Sequence, residues 1–262
     1  MAEFTSYAHG TPCWVDVTNP DLDGSIEFYK GLFGWEAQRA EQPEAGGYTM
    51  FSLNEKQVAA GSPPQQEGMP SYWTTYIASE DVDDTAAKIR DAGGTVLMDP
   101  FDVFESGRMT VAQDPTGASF GVWQAKEHIG AELANEPGTL LWNQCHTSDP
   151  GRAAEFYQAV FGYEIDEMDM GGEQPFRLLK VNGRGIGGVR EVVSEGEPPN
   201  WSTVFAVADT DETAARAREL GGAVLMEPLD LPEIGRLAVL QDPAGAVFQV
   251  MKPAGSPPEP AS

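Results

Sequence analysis

The chain repeats itself at an offset of 128 residues. Trp14 recurs as Trp142, Phe28-Tyr29 as Phe156-Tyr157, Phe33-Gly34 as Phe161-Gly162 and Trp73 as Trp201. Gly93-Gly94 recurs as Gly221-Gly222, Met98 as Met226, Pro100 as Pro228 and Gly107-Arg108 as Gly235-Arg236. Asp114-Pro115 and Gly117 recur as Asp242-Pro243 and Gly245, with no insertion or deletion between these anchors. A fixed offset held over the whole length means two copies of one fold. At 262 residues in all, each copy has the size of an ordinary domain. The register places the copies at 9–126 and 137–252, joined by Ala125 to Gly138. A tail from Pro253 to Ser262, rich in Pro, Ala, Ser and Gly, is expected to be mobile.

Each copy in turn reads as two similar halves. Strand Pro12 to Val17 puts Cys13, Val15 and Val17 on one side, leaving Trp14 and Asp16 on the other. A helix follows, capped by Asn19 or Asp21, with Pro20 tolerated beside the first turn. Ile26, Tyr29 and Phe33 form its buried stripe, and Gly34 stops it. Strands then span Trp35 to Gln38, Tyr48 to Leu53 and Gln57 to Gly61. The second half repeats the order: strand Trp73 to Ala78, helix Asp81 to Ala92, and strands Thr95 to Leu97, Arg108 to Gln113 and Ala118 to Trp123. Asp114-Pro115-Thr116-Gly117 is the turn before the last strand. The unit is βαβββ, written four times, and the class is α+β. A helix covers one face of each small sheet. Two units that curl their sheets against each other leave a concave cleft, the default place for a ligand.

Composition narrows the partners. The formal charge is −25, from 41 acidic and 16 basic residues. Such a chain is unsuited to a phosphate backbone or an anionic membrane surface, so neither nucleic acid nor membrane is expected. Neutral, cationic and aromatic ligands fit. No apolar run reaches the roughly 20 residues that a membrane helix needs, and Met1 to Gly10 has neither a basic nor an apolar leader segment. The two cysteines, Cys13 and Cys145, make no disulfide framework, and a reducing, cytoplasmic location is expected. Gly183 to Gly188 is glycine-rich but leads into a strand, not a helix, so it reads as a tight hairpin at a sheet edge rather than a dinucleotide loop.

The run Trp14-Val15-Asp16-Val17 to Phe28-Tyr29 with Leu32-Phe33-Gly34-Trp35, the helix opening Asp81-Val82-Asp83, and the turns at Asp114 and Asp242 resemble the vicinal oxygen chelate superfamily. That superfamily includes glyoxalase I, extradiol dioxygenases, fosfomycin-resistance enzymes and bleomycin-resistance binding proteins. The tandem arrangement is similar to an actinobacterial group of glyoxalase-like and hydroxylase-like proteins. The resemblance implies two tandem domains of this type, each with its cleft. It also implies metal-ligand positions at Trp14, Ala60, Thr74 and Gly121 in the first domain and at Trp142, Gly188, Ser202 and Gln249 in the second. Of these only Gln249 has a ligating side chain. The three histidines, His9, His128 and His146, form no spaced pair. Hence no metal and no other cofactor is expected, with a carboxylate-held ion as the lesser possibility.

The ligand-binding candidates are Trp14, Asp16, Thr74 and Tyr76 in the first cleft and Trp142, Gln144 and His146 in the second. The two tryptophans either stack on a flat or cationic ligand or plug their clefts. Asp16 either holds a cationic or hydroxyl-bearing ligand or acts as a base, or is internally paired or exposed. Tyr76 either donates to a ligand oxygen or belongs to the core. His146 either serves as a base near neutral pH or caps the Ser148–Asp149 turn or faces solvent. If the chain is catalytic, Asp16, Tyr76 and His146 are the candidates. Ser202, Val204 and Ala206 make the second cleft smaller and less polar on that wall, so the first is the better ligand site. His9 and His128, in the leader and the joining segment, rank behind. Arg108 and Arg236 read as structural ion-pair partners rather than an anion site.

The expected function is metal-free binding of a small organic molecule, cationic or aromatic. One alternative is a glyoxalase-like lyase or isomerase, or a hydroxylase-like enzyme. Another is a non-catalytic structural or interaction protein. The chain either pairs its own domains about a pseudo-twofold axis as a monomer or forms a homodimer.

Overall fold

The structure, a computed structural model, describes residues 3–170, 174–192 and 198–255. Most of the expected mobile tail, 256–262, lies outside these residues. The first domain runs β1 (Pro12–Thr18), α1 (Leu22–Phe33), β2 (Glu36–Arg39), β3 (Thr49–Leu53), β4 (Lys56–Ser62), β5 (Tyr72–Ala78), α2 (Val82–Asp91), β6 (Thr95–Val103), β7 (Gly107–Gln113) and β8 (Ser119–Ala125). The second runs β9 (Leu140–Thr147), α3 (Pro150–Phe161), β10 (Glu164–Met168), β11 (Phe176–Val181), β12 (Arg184–Glu191), β13 (Asn200–Ala206), α4 (Thr210–Glu219), β14 (Ala223–Leu231), β15 (Gly235–Gln241) and β16 (Val247–Pro253). This is the α+β fold of four βαβββ units.

The units of a domain do not stack two sheets, as the sequence reading expected. They share one. Antiparallel pairing of β1 with β5 fuses them into an eight-stranded sheet of order β2-β3-β4-β1-β5-β8-β7-β6, and β9 with β13 does the same in the second domain. In the first sheet, Tyr48 and Met50 beside and on β3 and Val103 and Met109 of β6 and β7 pack against one apolar cluster, although these strands lie near opposite edges.

Local chemistry sets the helix ends. Asp21 caps α1 by accepting the Gly24 N–H at 3.0 Å, and Gly34 closes it with φ 76°. Asn19 does not cap. It accepts the Asp21 N–H and donates to Asp242 in the other domain. The buried stripe also differs from the expected one. Leu22, Ser25, Phe28 and Tyr29 are buried, while Ile26 and Phe33 are only partly so. The cause is α4, which packs across α1: a Cβ on Gly31 would stand 2.8 Å from Leu220, and one on Gly222 would stand 2.9 Å from Phe28.

Both main cores therefore cross the domain boundary. One joins Val15, Val17, Phe28 and Tyr29 to Phe205, Ala217, Leu240 and Phe248. The other joins Ile77, Ile89, Phe120 and Val122 to Cys145, Phe156, Tyr157 and Trp201. Two matching polar joints lie among them. Tyr29 donates to Asp242 at 3.2 Å and accepts the Trp73 indole N–H at 3.0 Å. Tyr157 donates to Asp114 at 2.9 Å and accepts the Trp201 N–H at 2.7 Å. The other oxygen of each aspartate takes backbone N–H groups of its own turn.

Two other expectations need correction. Strand β6 continues to Val103 through Pro100, because an edge strand tolerates a residue that cannot donate. The glycine-rich segment is a hairpin with Gly183 at φ 73°, but β12 is interior, between β11 and β9. Its glycines make room: a Cβ on Gly188 would fall 2.1 Å from the Phe176 ring. Arg108 binds Asp83 and Asp102, and Arg236 binds Asp211 and Asp230, as structural ion pairs. No helix among the described residues is long and apolar enough to cross a membrane.

Candidate functional site

Strand registers lay out one face of the first sheet, the side away from Val15 and Val17, as two rows. Gln38, Met50, Ala60, Asp16 and Thr74 lie side by side across β2, β3, β4, β1 and β5. Next to them run Trp14, Tyr76, Gly121, Val111 and Met98 across β1, β5, β8, β7 and β6. The four residues expected in the first cleft thus come together. Asp16 is only 5% exposed. Its Oδ2 accepts from the Tyr76 hydroxyl at 2.9 Å and the Tyr48 hydroxyl at 3.3 Å, and the Thr74 side chain adds a further hydrogen bond. Trp14 donates its indole N–H to Tyr48 at 3.0 Å, so it is both a packed side chain and a member of this network.

No lysine or arginine among the described residues forms an ion pair with Asp16. Burial consequently pushes its carboxyl up to about 6, against the opposing pull of the Tyr76, Tyr48 and Thr74 hydrogen bonds. The same burial, with the nearby Asp16 charge, holds both tyrosine hydroxyls well above their ordinary range, so they remain donors.

The joining segment contributes a residue that sequence reasoning ranked low. His128 packs edge-on to Trp14, with ring centroids 4.6 Å apart and planes at 86°, and lies 5.6 Å from Trp123. Its carbonyl accepts the Trp123 indole N–H at 2.8 Å. Burial pulls the imidazole down to about 4. Tyr48 was also missed, although its counterpart at the repeat offset, Phe176, is another aromatic ring. His9 accepts the Glu80 N–H and stands against Phe161, outside both clefts.

The matching face of the second sheet has the same layout. Asp166, Leu178, Gly188, Gln144 and Ser202 form one row, and Trp142, Val204, Gln249, Val239 and Met226 the other. Trp142 is partly buried and packs with Val204, Ala206, Leu141 and Met251. Gln144 Nε2 and His146 Nε2 are 3.0 Å apart, and Gln249 donates to Ser202 at 2.8 Å. His146 is 6% exposed and lies opposite Arg190 and Asn200, so it does not face solvent. Nor does it cap the turn that follows. Thr147 takes the Asp149 N–H. Cys13 and Cys145 are buried free thiols.

A family profile described as the glyoxalase/bleomycin resistance protein/dioxygenase superfamily matches residues 12–122, and a glyoxalase-like domain profile matches 143–251. The chain belongs to this superfamily. Across 97% of its length it is 46% identical to CFP32 of Mycobacterium tuberculosis, a protein provisionally named a glyoxylase, and the match covers 99% of that protein. It is 40% identical to the anthracycline biosynthesis protein DnrV of Streptomyces peucetius, with 95% of each chain covered. Among solved structures, the Mn(II)-bound glyoxalase of Novosphingobium aromaticivorans superposes with a TM-score of 0.67 at 17% identity, covering 93% of this chain and 82% of that one. The 2,3-dioxygenase LapB of Pseudomonas sp. KL28 gives 0.67 at 14%, covering 95% and 94%. These distant structures share the fold.

A superfamily with a metal-bound member raises the question of a metal here. The eight positions that match its ligand pattern do line the two concave faces, but their side chains include no imidazole, thiolate or carboxylate. Gln249 already donates to Ser202. Among the described residues no three His, Cys, Asp or Glu side chains gather where they could hold an ion. The residues present do not fit a vicinally chelated transition metal.

Proposed function

We propose that the chain binds a small organic molecule on the concave face of its first domain, with Trp14, Asp16, Thr74 and Tyr76 as contacts and no transition metal. One observation carries this reading: Asp16 is a buried carboxylate held by hydroxyls, with no cationic partner among the described residues. A buried charge is costly unless it is paired. A cationic ligand supplies the missing charge, and the indole of Trp14 supplies flat apolar area. The relatives named for anthracycline biosynthesis support a flat polycyclic ligand. Trp142, Gln144 and His146 are the corresponding contacts of the second cleft, which takes a different molecule. The domain limits 9–126 and 137–252, a cytoplasmic location and a monomer whose domains pair with each other belong to the same reading.

Titrating the flat, amine-bearing anthracycline daunorubicin into native protein tests it. Binding that saturates and weakens in Asp16→Asn is the expected result. Binding unchanged in a stable Asp16→Asn protein overturns it. Elemental analysis of natively purified protein is expected to show no stoichiometric Fe, Mn, Ni or Zn. An ion close to one per domain that resists dialysis would refute the metal-free part.

A second reading has its own observation. A carboxyl raised to about 6 exchanges a proton near neutral pH. With Tyr76 beside it, Asp16 could serve a glyoxalase-like isomerase or lyase, or a hydroxylase-like enzyme. Turnover of the bound molecule, lost in Asp16→Asn, separates catalysis from binding.

A further inference from the structure

We infer that His128, supplied by the segment between the domains, is a ligand-contacting residue of the first cleft, and that the ligand it serves is an aromatic molecule bearing a hydroxyl group. This deepens, and rests on, the first-cleft reading. The deciding observation is the Nε2 atom of His128, which is buried and has no hydrogen-bond partner. A buried polar nitrogen without a partner forfeits its hydration. Only two other described side-chain atoms share that condition, the Thr11 and Ser25 hydroxyls, and neither belongs to the cleft cluster.

The segment carrying the imidazole is held in place. The backbone carbonyl of His128 takes the Trp123 indole N–H and its backbone N–H donates to the Ser106 carbonyl, while the ring itself stands edge-on to Trp14. Three residues on, the Ala131 N–H donates to the Cys13 carbonyl on β1 and its carbonyl accepts from the Tyr7 hydroxyl.

The chemistry of the missing partner follows from the ring. With its proton affinity lowered by burial, the imidazole is neutral at physiological pH, and Nε2 is then an acceptor or a donor according to tautomer. A hydroxyl satisfies either state because it both donates and accepts. An alkyl group or a bare aromatic edge satisfies neither. Trp14 and Trp123, which hold the imidazole, are themselves aromatic, so the apolar part of the ligand is expected to be a flat ring system.

Two near-isosteric probes test this: 2-naphthol, which carries the hydroxyl, and 2-methylnaphthalene, which does not. Each is titrated into wild type, His128→Phe, His128→Asn and Asp16→Asn, with thermal unfolding measured beside. Histidine side-chain nitrogen resonances are followed in protein labelled at His9, His128 and His146. In wild type, 2-naphthol should bind at least about fivefold tighter than 2-methylnaphthalene and shift the Nε2 resonance of His128. In His128→Phe that preference, read as the ratio of the two affinities, should vanish. His128→Asn, which restores a donor and an acceptor, should recover part of it. Equal affinity for the two probes in wild type, or a preference that survives in folded His128→Phe, overturns the assignment. If 2-naphthol binding falls in Asp16→Asn but not in His128→Phe, the first cleft stands and the role of His128 falls. If neither probe binds, this inference falls and the first-cleft reading is decided by the amine-bearing probe; if only His146 responds, both fall together.

Discussion

On their convex sides the two domains do the same thing. Tyr29 and Tyr157 each donate to the turn aspartate of the opposite domain, and each accepts an indole N–H, from Trp73 or Trp201. Even the chain entries match. Gly10 and Gly138 share φ 84°, a backbone state that favours glycine, and their carbonyls accept from Tyr163 and Trp35 respectively. The concave sides carry different side chains on the same register. Asp16 stands where the second domain has Gln144, Tyr76 where it has Val204, Tyr48 where it has Phe176, Gly121 where it has Gln249, and Thr18 where it has His146. Identity at Tyr29/Tyr157, Trp73/Trp201 and Asp114/Asp242 therefore marks the contacts with which the domains hold each other. The rows on the other face keep Trp14/Trp142 and Met98/Met226 but differ at the polar positions between them.

The largest expected effect comes from breaking the shared side. Asp242→Ala strands the Tyr29 hydroxyl, the Asn19 amide and the turn N–H groups in the interior, and Asp114→Ala does the same to its own set. Each should cost about 3 kcal/mol or more, read from urea unfolding, and the two losses should agree within about 1 kcal/mol. A cost below about 1 kcal/mol for one of them would show that the joints are not equivalent.

A comparable effect, but of two opposing signs, is expected inside the first cleft. Asp16 has a folded value of about 6, above the ordinary carboxylate value. The folded state holds that proton more tightly, so the contribution to stability is present below about pH 4 and is lost as pH rises to about 6. His128 has a folded value of about 4, below that of a free imidazole. Its contribution is present above about pH 6.5 and is lost as pH falls toward 4. Each shift corresponds to roughly 3 kcal/mol. The two slopes share one pH window and largely cancel in the wild type. Relative to wild type, Asp16→Asn should gain stability as pH rises from 4 to 7, and His128→Phe should gain it as pH falls over the same range. Denaturant unfolding at several pH values reads both. Parallel profiles for the three proteins would mean that neither group titrates as its burial implies.

How much of this was legible follows from where each residue sits. The alternation in β1 and β5 puts Trp14, Asp16, Thr74 and Tyr76 on one face, because strand parity is a local property. The repeat of Asp114 and Asp242 was visible, but not its reason. A turn aspartate shows no sign in sequence that its second oxygen serves a tyrosine more than 40 residues away. The stripe of α1 was misplaced for a similar reason: the helix it packs against belongs to the other domain. His128 was ranked low because periodicity says nothing about a connecting segment. Its position depends on Ala131 and Glu132 pairing with β1 and β4, which only the assembled chain displays.

The smallest expected effect is the one that ranks the clefts. A partly buried carboxylate in a charge-assisted hydrogen bond contributes about 1.5–3 kcal/mol, which is roughly tenfold or more in affinity. Asp16→Asn keeps the shape of the side chain and deletes its charge, whereas replacing Trp14 would also remove packing against His128 and the donor to Tyr48. With a cationic aromatic probe, Asp16→Asn should therefore lose about tenfold in affinity or more. His146→Gln should change it little, because His146 lies in the other domain and faces Gln144, Arg190 and Asn200. Isothermal titration of both variants, with unfolding curves to show that each is folded, makes the comparison direct. Should His146→Gln abolish binding while Asp16→Asn leaves it intact, the working cleft is the second. The amides and imidazole of that face would then be what the ligand reads, and the buried aspartate of the first would serve only its own hydrogen-bond network.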